Sequence, residues 1–447
     1  MRPHSQEIRE NYDLFRTQLT QILNMEHELV KLGDVIDWKH LEARNGEFYK
    51  AEGRPGVAAR LMIGLHFLKY MFNLSDEGVC ERWVYDPYFQ YFCGETYFQH
   101  KFTMERSSMT HWRKRVGEKF CETLMQESLY SAYKLGALKK NDVKKVVVDT
   151  TVQPKAITFP TDAKLYYKAL ISLGKLAKQK GLELRQSYVR VSKRTLVQVG
   201  RYRHAKQMKR AKKSQKKLKT YLGRVVRDIR RQINESSSLQ EIFSQPLQKA
   251  HRILTQTKKT KDKLYSWHAP EVECIGKGKA DKPYEFGCKV SLTTTVNPAP
   301  AGHFVLHTAA LHGRPYDGHT LKPMMEAMEA WTGIEPKRIY VDKGYRGHDY
   351  PNKLRVFKSG QKRSITKAIK RELKRRSVIE PIIGHVKHEH RLNRNYLSGL
   401  VGDKVNALLA ATGYNFRLIL NWLRDLFWFI LAFIFTDLKR PQFRICS

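Results

Sequence analysis

The stretch KKVVVDTTVQP (144–154) decides how this chain is read. Its run of valines is stiff at χ1 and favours extended backbone. A short apolar run that ends in polar residues reads as a buried strand. Asp149 lies near the C-terminal end of that strand. A carboxylate there is either a turn or cap residue or a group set out for chemistry. The choice depends on whether other acids, distant in sequence, arrive beside it.

Upstream, residues 1–140 read as helical. GVAARLMIGLHFLKYMFNLSDEGVCERW has helical apolar spacing, and SSMTHWRKRVGEKFCETLMQESLY opens with serines suited to capping. Arg113 and Arg115 fall early in that second helix, where they could read DNA from a helix-turn-helix pair or form an ordinary solvated face. Downstream, residues 161–262 return to helical composition with 28 lysines and arginines against 6 acids. A solvated helix usually alternates signs. A one-signed block, with Lys212, Lys213, Lys216, Lys217 and Lys219 at its centre, is better read as a phosphate-facing surface.

Strand texture resumes in YEFGCKVSLTTTV (284–296) and HFVLHTAALHG (303–313), joined by the turn-rich NPAPAG, a hairpin pattern. Asp317 is expected to cap the helix that follows. KRIYVDKGYRG (337–347) is another buried strand with Asp342 at its end, followed by the short strand KLRVF and a long helix from about 366 to 396. With 161–262 set aside, the order is strand, strand, strand, helix, strand, short strand, long helix. That is the ribonuclease-H-like α/β arrangement, a mixed sheet flanked by helices. The predicted organisation is an all-α domain over 1–140, a catalytic domain over 141–160 and 263–417, a basic helical insertion over 161–262, and an apolar segment over 418–447.

Composition bounds the function. The chain has 447 residues and a formal net charge of +39, which calls for a polyanionic partner. Nucleic acid comes first, an anionic membrane surface second, a ribosome-like structural role third. Six cysteines without a CxxC pair argue against a zinc ribbon or a disulfide framework and fit a reducing cytosol. No secretory signal is visible at the start. The apolar run LFWFILAFIFTDL follows Arg424 and Asp425 and falls short of the roughly 20 residues of a membrane span. It is expected to be a buried terminal helix or strand.

In the predicted sheet the first strand and the strand of 337–342 are neighbours, and the last helix packs across their ends. Asp149, Asp342 and Glu380 would then converge. Clustered carboxylates repel and raise one another's pKa unless a cation neutralises them. Their hard oxygens suit Mg²⁺ or Mn²⁺, and two such ions would serve phosphodiester cleavage. Glu380 sits in RRSVIEPIIGHVKHEHR (375–391), where Arg376, Lys387 and Arg391 would share its helical face and hold DNA phosphates. His385, His388 and His390 lack cysteine partners for a zinc cluster; phosphate contact or packing suits them better. Asp142, Asp349, Glu372 and Glu389 lie close to the three chosen acids and compete with them.

VVVDTTVQPKAITFPTDAKL, CIGKGKADKPYEFGCKVSL, YVDKGYRG, RRSVIEPIIGHVK and ALLAATGYNFRLIL resemble the insertion-sequence DDE transposases of the IS-five family. YDPYFQYFCGETYFQHKF resembles the helical amino-terminal domain of that family. The resemblance implies a DDE triad of Asp149, Asp342 and Glu380 that holds two Mg²⁺ or Mn²⁺ ions. It also implies double-stranded DNA, both transposon ends and target, as partner, and a homodimer or larger assembly in a prokaryotic cytoplasm, at the nucleoid. The implied reaction is cleavage at the element's ends and attack of the freed 3′-hydroxyl on target DNA. The family's Tyr-x2-Arg-x3-Glu-x6-Lys signature is met by Arg376, Glu380 and Lys387, but Leu373 stands at the tyrosine position. A nuclease or resolvase without strand transfer, and a non-catalytic DNA-binding descendant, are the alternatives.

Overall fold

A computed structural model describes residues 16–50, 52, 56–276 and 283–438, except for the side chains of 426–438. The chain forms two compact units, Met1–Pro154 with Cys288–Ser447, and Lys155–Gly287.

Among the described residues, six strands form a mixed sheet: β1 (Lys145–Pro154), β2 (Glu273–Gly276), β3 (Tyr284–Thr295), β4 (Val305–Leu311), β5 (Arg338–Val341) and β6 (Val356–Lys358). β1 runs parallel to β5 in a register that ends at Val148↔Val341, and β5 runs parallel to β6. β3 flanks β1 on the other side and pairs antiparallel with β4, which is the expected hairpin. β2 was not foreseen from the sequence; it pairs with the first residues of β3 inside the second unit.

Side-chain alternation divides the centre of the sheet between two cores. Val146, Val148, Ile339 and Val341 face a large core shared with the amino-terminal helices. Val147 and Tyr340 face a smaller one with Phe357, Ile369 and Ile379. Because successive strand residues alternate faces, Asp149 and Asp342 continue the Val147 and Tyr340 side, under the helices that carry Ile369 and Ile379. Beneath the start of these strands, buried Glu372 accepts hydrogen bonds from Lys145 Nζ (2.6 Å), Arg338 (2.7 Å) and the Tyr340 hydroxyl. Burial alone would raise its pKa, but these three donors hold it down at about 2.

The amino-terminal helices share the core of the sheet, with no packing boundary at 140. The helix Gly399–Leu438 binds them together and runs unbroken past 418, where a separate segment was expected. Tyr70 donates to Asn406 (2.8 Å), and Phe67 packs on Phe416. Asn415 exchanges two hydrogen bonds with the backbone of Val305 in β4 and donates a third to Ser128. The burial expected for 426–438 falls on side chains outside those described. Among the described residues, no helix is long and apolar enough to cross a membrane, and Cys80, Cys93, Cys121, Cys274 and Cys288 form no disulfide.

The second unit packs the helices Asp162–Gln179, Val189–His204, Met208–Gln232 and Ser237–Thr255 around their own core. It is wider than the expected 161–262, because β2 and the beginning of β3 belong to it.

Two outcomes follow from this packing. A Cβ at Gly413 would lie 2.6 Å from the backbone carbon and Cβ of Tyr70. Gly413→Ala should therefore cost about 1–3 kcal/mol by overpacking, read as a lower urea midpoint. Glu372 is an acid with a depressed pKa, so its contribution is complete above its ordinary 4.5 and is lost as pH falls through about 2. Urea midpoints taken across that window should fall more steeply for the native chain than for Glu372→Gln.

Candidate active site and nucleic-acid surface

Register brings the first two acids together. Val148 and Val341 are partners across the parallel pair, so Asp149 and Asp342 come next on adjacent strands, spaced by about 5 Å of interstrand distance. The third comes from the helix Ile379–Glu389, whose Ile379 is anchored in the small core one residue before Glu380. One guanidinium spans all three. Arg376 lies 3.4 Å from Asp149, 3.8 Å from Asp342 and 3.3 Å from Glu380. Its side chain is only 12% exposed, while Asp342 and Glu380 stand open at 49% and 64%.

The pKa of Asp149 is raised, first by burial, and further by Asp342 and Asp317. The Thr150 amide and Arg376 oppose that shift without reversing it. Hard carboxylate oxygens gathered about one cation, with two of them open to solvent, are a donor set that fits Mg²⁺ or Mn²⁺.

The competing acids are engaged elsewhere. Glu372 holds its three donors beneath the sheet. Asp349 accepts from the Lys322 amide, Asp142 from the Lys139 amide, and Glu389 pairs with His385. His390 is buried on the Tyr70 carbonyl, and burial lowers its pKa to about 4, so it packs as a neutral ring.

Asp317 corrects an expectation. It begins the 3-10 turn Asp317–Thr320 and caps no helix through its side chain. Its carboxylate accepts from the Thr150 hydroxyl and from Lys289 Nζ, each at 3.0 Å, which brings a fourth acid and a second cation to the edge of the site. Its local sequence, Tyr-Asp-Gly, is that of any turn. Only the neighbouring strand, which carries Thr150 next to Asp149, reveals it.

The expected long helix is broken. Lys367–Arg375 is followed by a 3-10 turn, Arg376–Val378, and then by Ile379–Glu389. Pro381 has no N–H, and its ring would clash with the carbonyl of Ser377, so an α-helix cannot continue through this point. Arg391 lies past the helix in a left-handed conformation (φ 67°) and donates to the Asn73 carbonyl. The continuous basic face expected to include it therefore does not form. Leu373, at the signature's tyrosine position, packs toward the small core. Lys387 is half-buried on the helix of Glu380.

Arg113 is a second correction. Its side chain is 4% exposed and grips Asp76 through two hydrogen bonds, at 2.9 and 2.6 Å. It also meets Thr110 and the ring of His66. Burial would raise the pKa of Asp76, but the hydrogen bonds of Arg113 and the charge of Lys69 hold it well below the usual carboxylate range. Arg113 is a core counter-ion, and its remaining donor, on Nε, is itself buried. Arg115 is exposed and stacks over Tyr49. The helix Ser107–Lys134 that carries both has no side-chain cap and bends at Gly117 (φ 62°). In the second unit, Lys212, Lys213, Lys216, Lys217 and Lys219 are all exposed on the helix Met208–Gln232. Its Leu218, Leu222, Val225 and Ile229 are buried on the opposite side.

Residues 17–115 match a family described as a transposase domain (DUF772), and residues 256–416 match the transposase DDE domain, a span that contains Asp342 and Glu380. An "Uncharacterized protein ORF8 in nfe locus" of Rhizobium meliloti is 49% identical over 207 residues, which are 46% of this chain and the whole of that protein. No solved structure matches. A transposase domain ahead of a transposase DDE domain supports an insertion-sequence DDE transposase.

Proposed function

We propose that this chain is a transposase of the IS-five kind, with a ribonuclease-H-like catalytic sheet, that cleaves the ends of its insertion sequence and joins their 3′-hydroxyls to target DNA. The observation that supports this most is the convergence of Asp149, Asp342 and Glu380 on the guanidinium of Arg376. These three carboxylates would hold two Mg²⁺ or Mn²⁺ ions. When bound, such ions would supply activation of the attacking oxygen and stabilisation of the leaving one. Arg376 neutralises the carboxylates in the free protein and, once released, serves a DNA phosphate. Lys289 holds Asp317 at the rim. The lysines of Met208–Gln232 and Arg115 bind end or target DNA through phosphates. Two ends must meet, so the working form is a homodimer or larger assembly in the cytoplasm.

The test is cleavage and joining of labelled DNA that carries the element's own end, with and without Mg²⁺. Glu380→Gln should lose more than about 100-fold in rate while it still binds DNA. Cutting without joining would indicate a nuclease. Binding without metal-dependent chemistry would leave a DNA-binding protein.

Two further outcomes are expected. Arg376→Ala leaves the acids without their counter-charge, so it should melt earlier than the native chain in metal-free buffer and gain more stability from added Mg²⁺. Neutralising Lys216, Lys217 and Lys219 together should weaken DNA binding and flatten its log–log salt dependence by about 2–3. A salt slope unchanged by the triple substitution would remove these lysines from the interface.

A further inference from the structure

A second cluster of metal-binding side chains lies apart from the acids described above. Cys288, in β3, His312, just after β4, and Asp403, near the start of the helix Gly399–Leu438, bring their ligand atoms within 4.8 Å of one another. Cys288 and Asp403 are buried. Lys289, the next residue of β3, sends its side chain to Asp317, so alternation sets Cys288 on the opposite face of the strand.

Both ring nitrogens of His312 are buried without a hydrogen-bond partner. The contact between its Nε2 and Asp403 Oδ2, at 3.9 Å, is too long to serve as one. An unsatisfied buried polar atom costs about 1–3 kcal/mol, and coordination would relieve one of the two nitrogens. The other two ligands are oriented from behind. Gln153 donates to Cys288 Sγ at 3.5 Å and to the Asp403 carbonyl at 3.0 Å, while Asn395 donates to Asp403 Oδ1 at 2.7 Å. Asn406 in turn fixes Gln153. Such outer hydrogen bonds hold ligands at metal sites in the geometry an ion needs.

We infer that Cys288, His312 and Asp403 form a structural site for a zinc-class divalent ion. A thiolate, an imidazole and a carboxylate together select Zn²⁺ or Co²⁺ and disfavour Mg²⁺, which prefers oxygen alone. Bonds of about 2.0–2.3 Å to each ligand require the three side chains to close on the ion by about an ångström. The bound ion ties the β3–β4 hairpin to the long helix at the base of the 312–317 connection that carries Asp317. The inference does not depend on the transposase reading.

The test uses the full chain, stripped with chelator, loaded with Co²⁺ and dialysed against excess Mg²⁺ so that the carboxylate cluster is filled by the harder ion. The expected result is about one retained Co²⁺ per chain with a thiolate-to-cobalt charge-transfer band. Zn²⁺ should displace the Co²⁺. The band should vanish in Cys288→Ser and persist in Glu380→Gln. His312→Gln keeps the thiol and should bind Co²⁺ at least about 10-fold more weakly; it decides the matter if Cys288→Ser does not fold. Absence of the band in the native chain would overturn the inference. A band or affinity unchanged by both substitutions would do the same.

Discussion

Val148 of β1 stands opposite Val341 of β5, and the rest of the site depends on that pairing. Parallel register makes the next residue on each strand an acid, on the same face. A slip by one residue would turn one carboxylate into the opposite core. The valines and Ile339, all fully buried, specify the register because both faces of these strands are covered. Two carboxylates at interstrand distance repel in a partly dry setting, so the pairing creates a need for positive charge. Arg376 meets it from a short 3-10 turn, and Lys289 meets it for Asp317 from the other side.

The break before Pro381 then has a consequence. In an unbroken helix Arg376 and Glu380 would be successive residues of one surface face. The 3-10 turn keeps them in contact while the guanidinium reaches back over β1 and β5 to Asp149 and Asp342. In the proposed catalytic cycle that arrangement lets one side chain guard the acids and later release them to metal. The amino-terminal helices contribute through Gly399–Leu438, whose Asn415 locks onto β4 and whose Gly413 lets Tyr70 approach closely.

Much of this was legible in residue order. The valine run with Asp149, the IYV of β5 with Asp342 just after it, and the β3–β4 hairpin all read correctly, because buried strands carry dense β-branched signals over a few residues. The lysines of Met208–Gln232 also stand exposed as their one-signed pattern suggested. What escaped had non-local causes. Arg113 looks like any basic residue of a surface helix, and its burial depends on Asp76, 37 positions away in sequence. The role of Asp317 depends on Thr150, separated from it by 167 positions. β2 is four residues long and is a strand only because β3 pairs with it. The helix break was readable from Pro381, but basic periodicity across 366–396 concealed it.

The most direct measurement is a crystal structure of the chain with Mn²⁺, which scatters anomalously and so can be located without ambiguity. The account predicts anomalous density between Asp149, Asp342 and Glu380, with the Arg376 guanidinium moved away from all three. Manganese bound only elsewhere, or Arg376 still bridging the acids under conditions in which the protein cuts DNA, would contradict it.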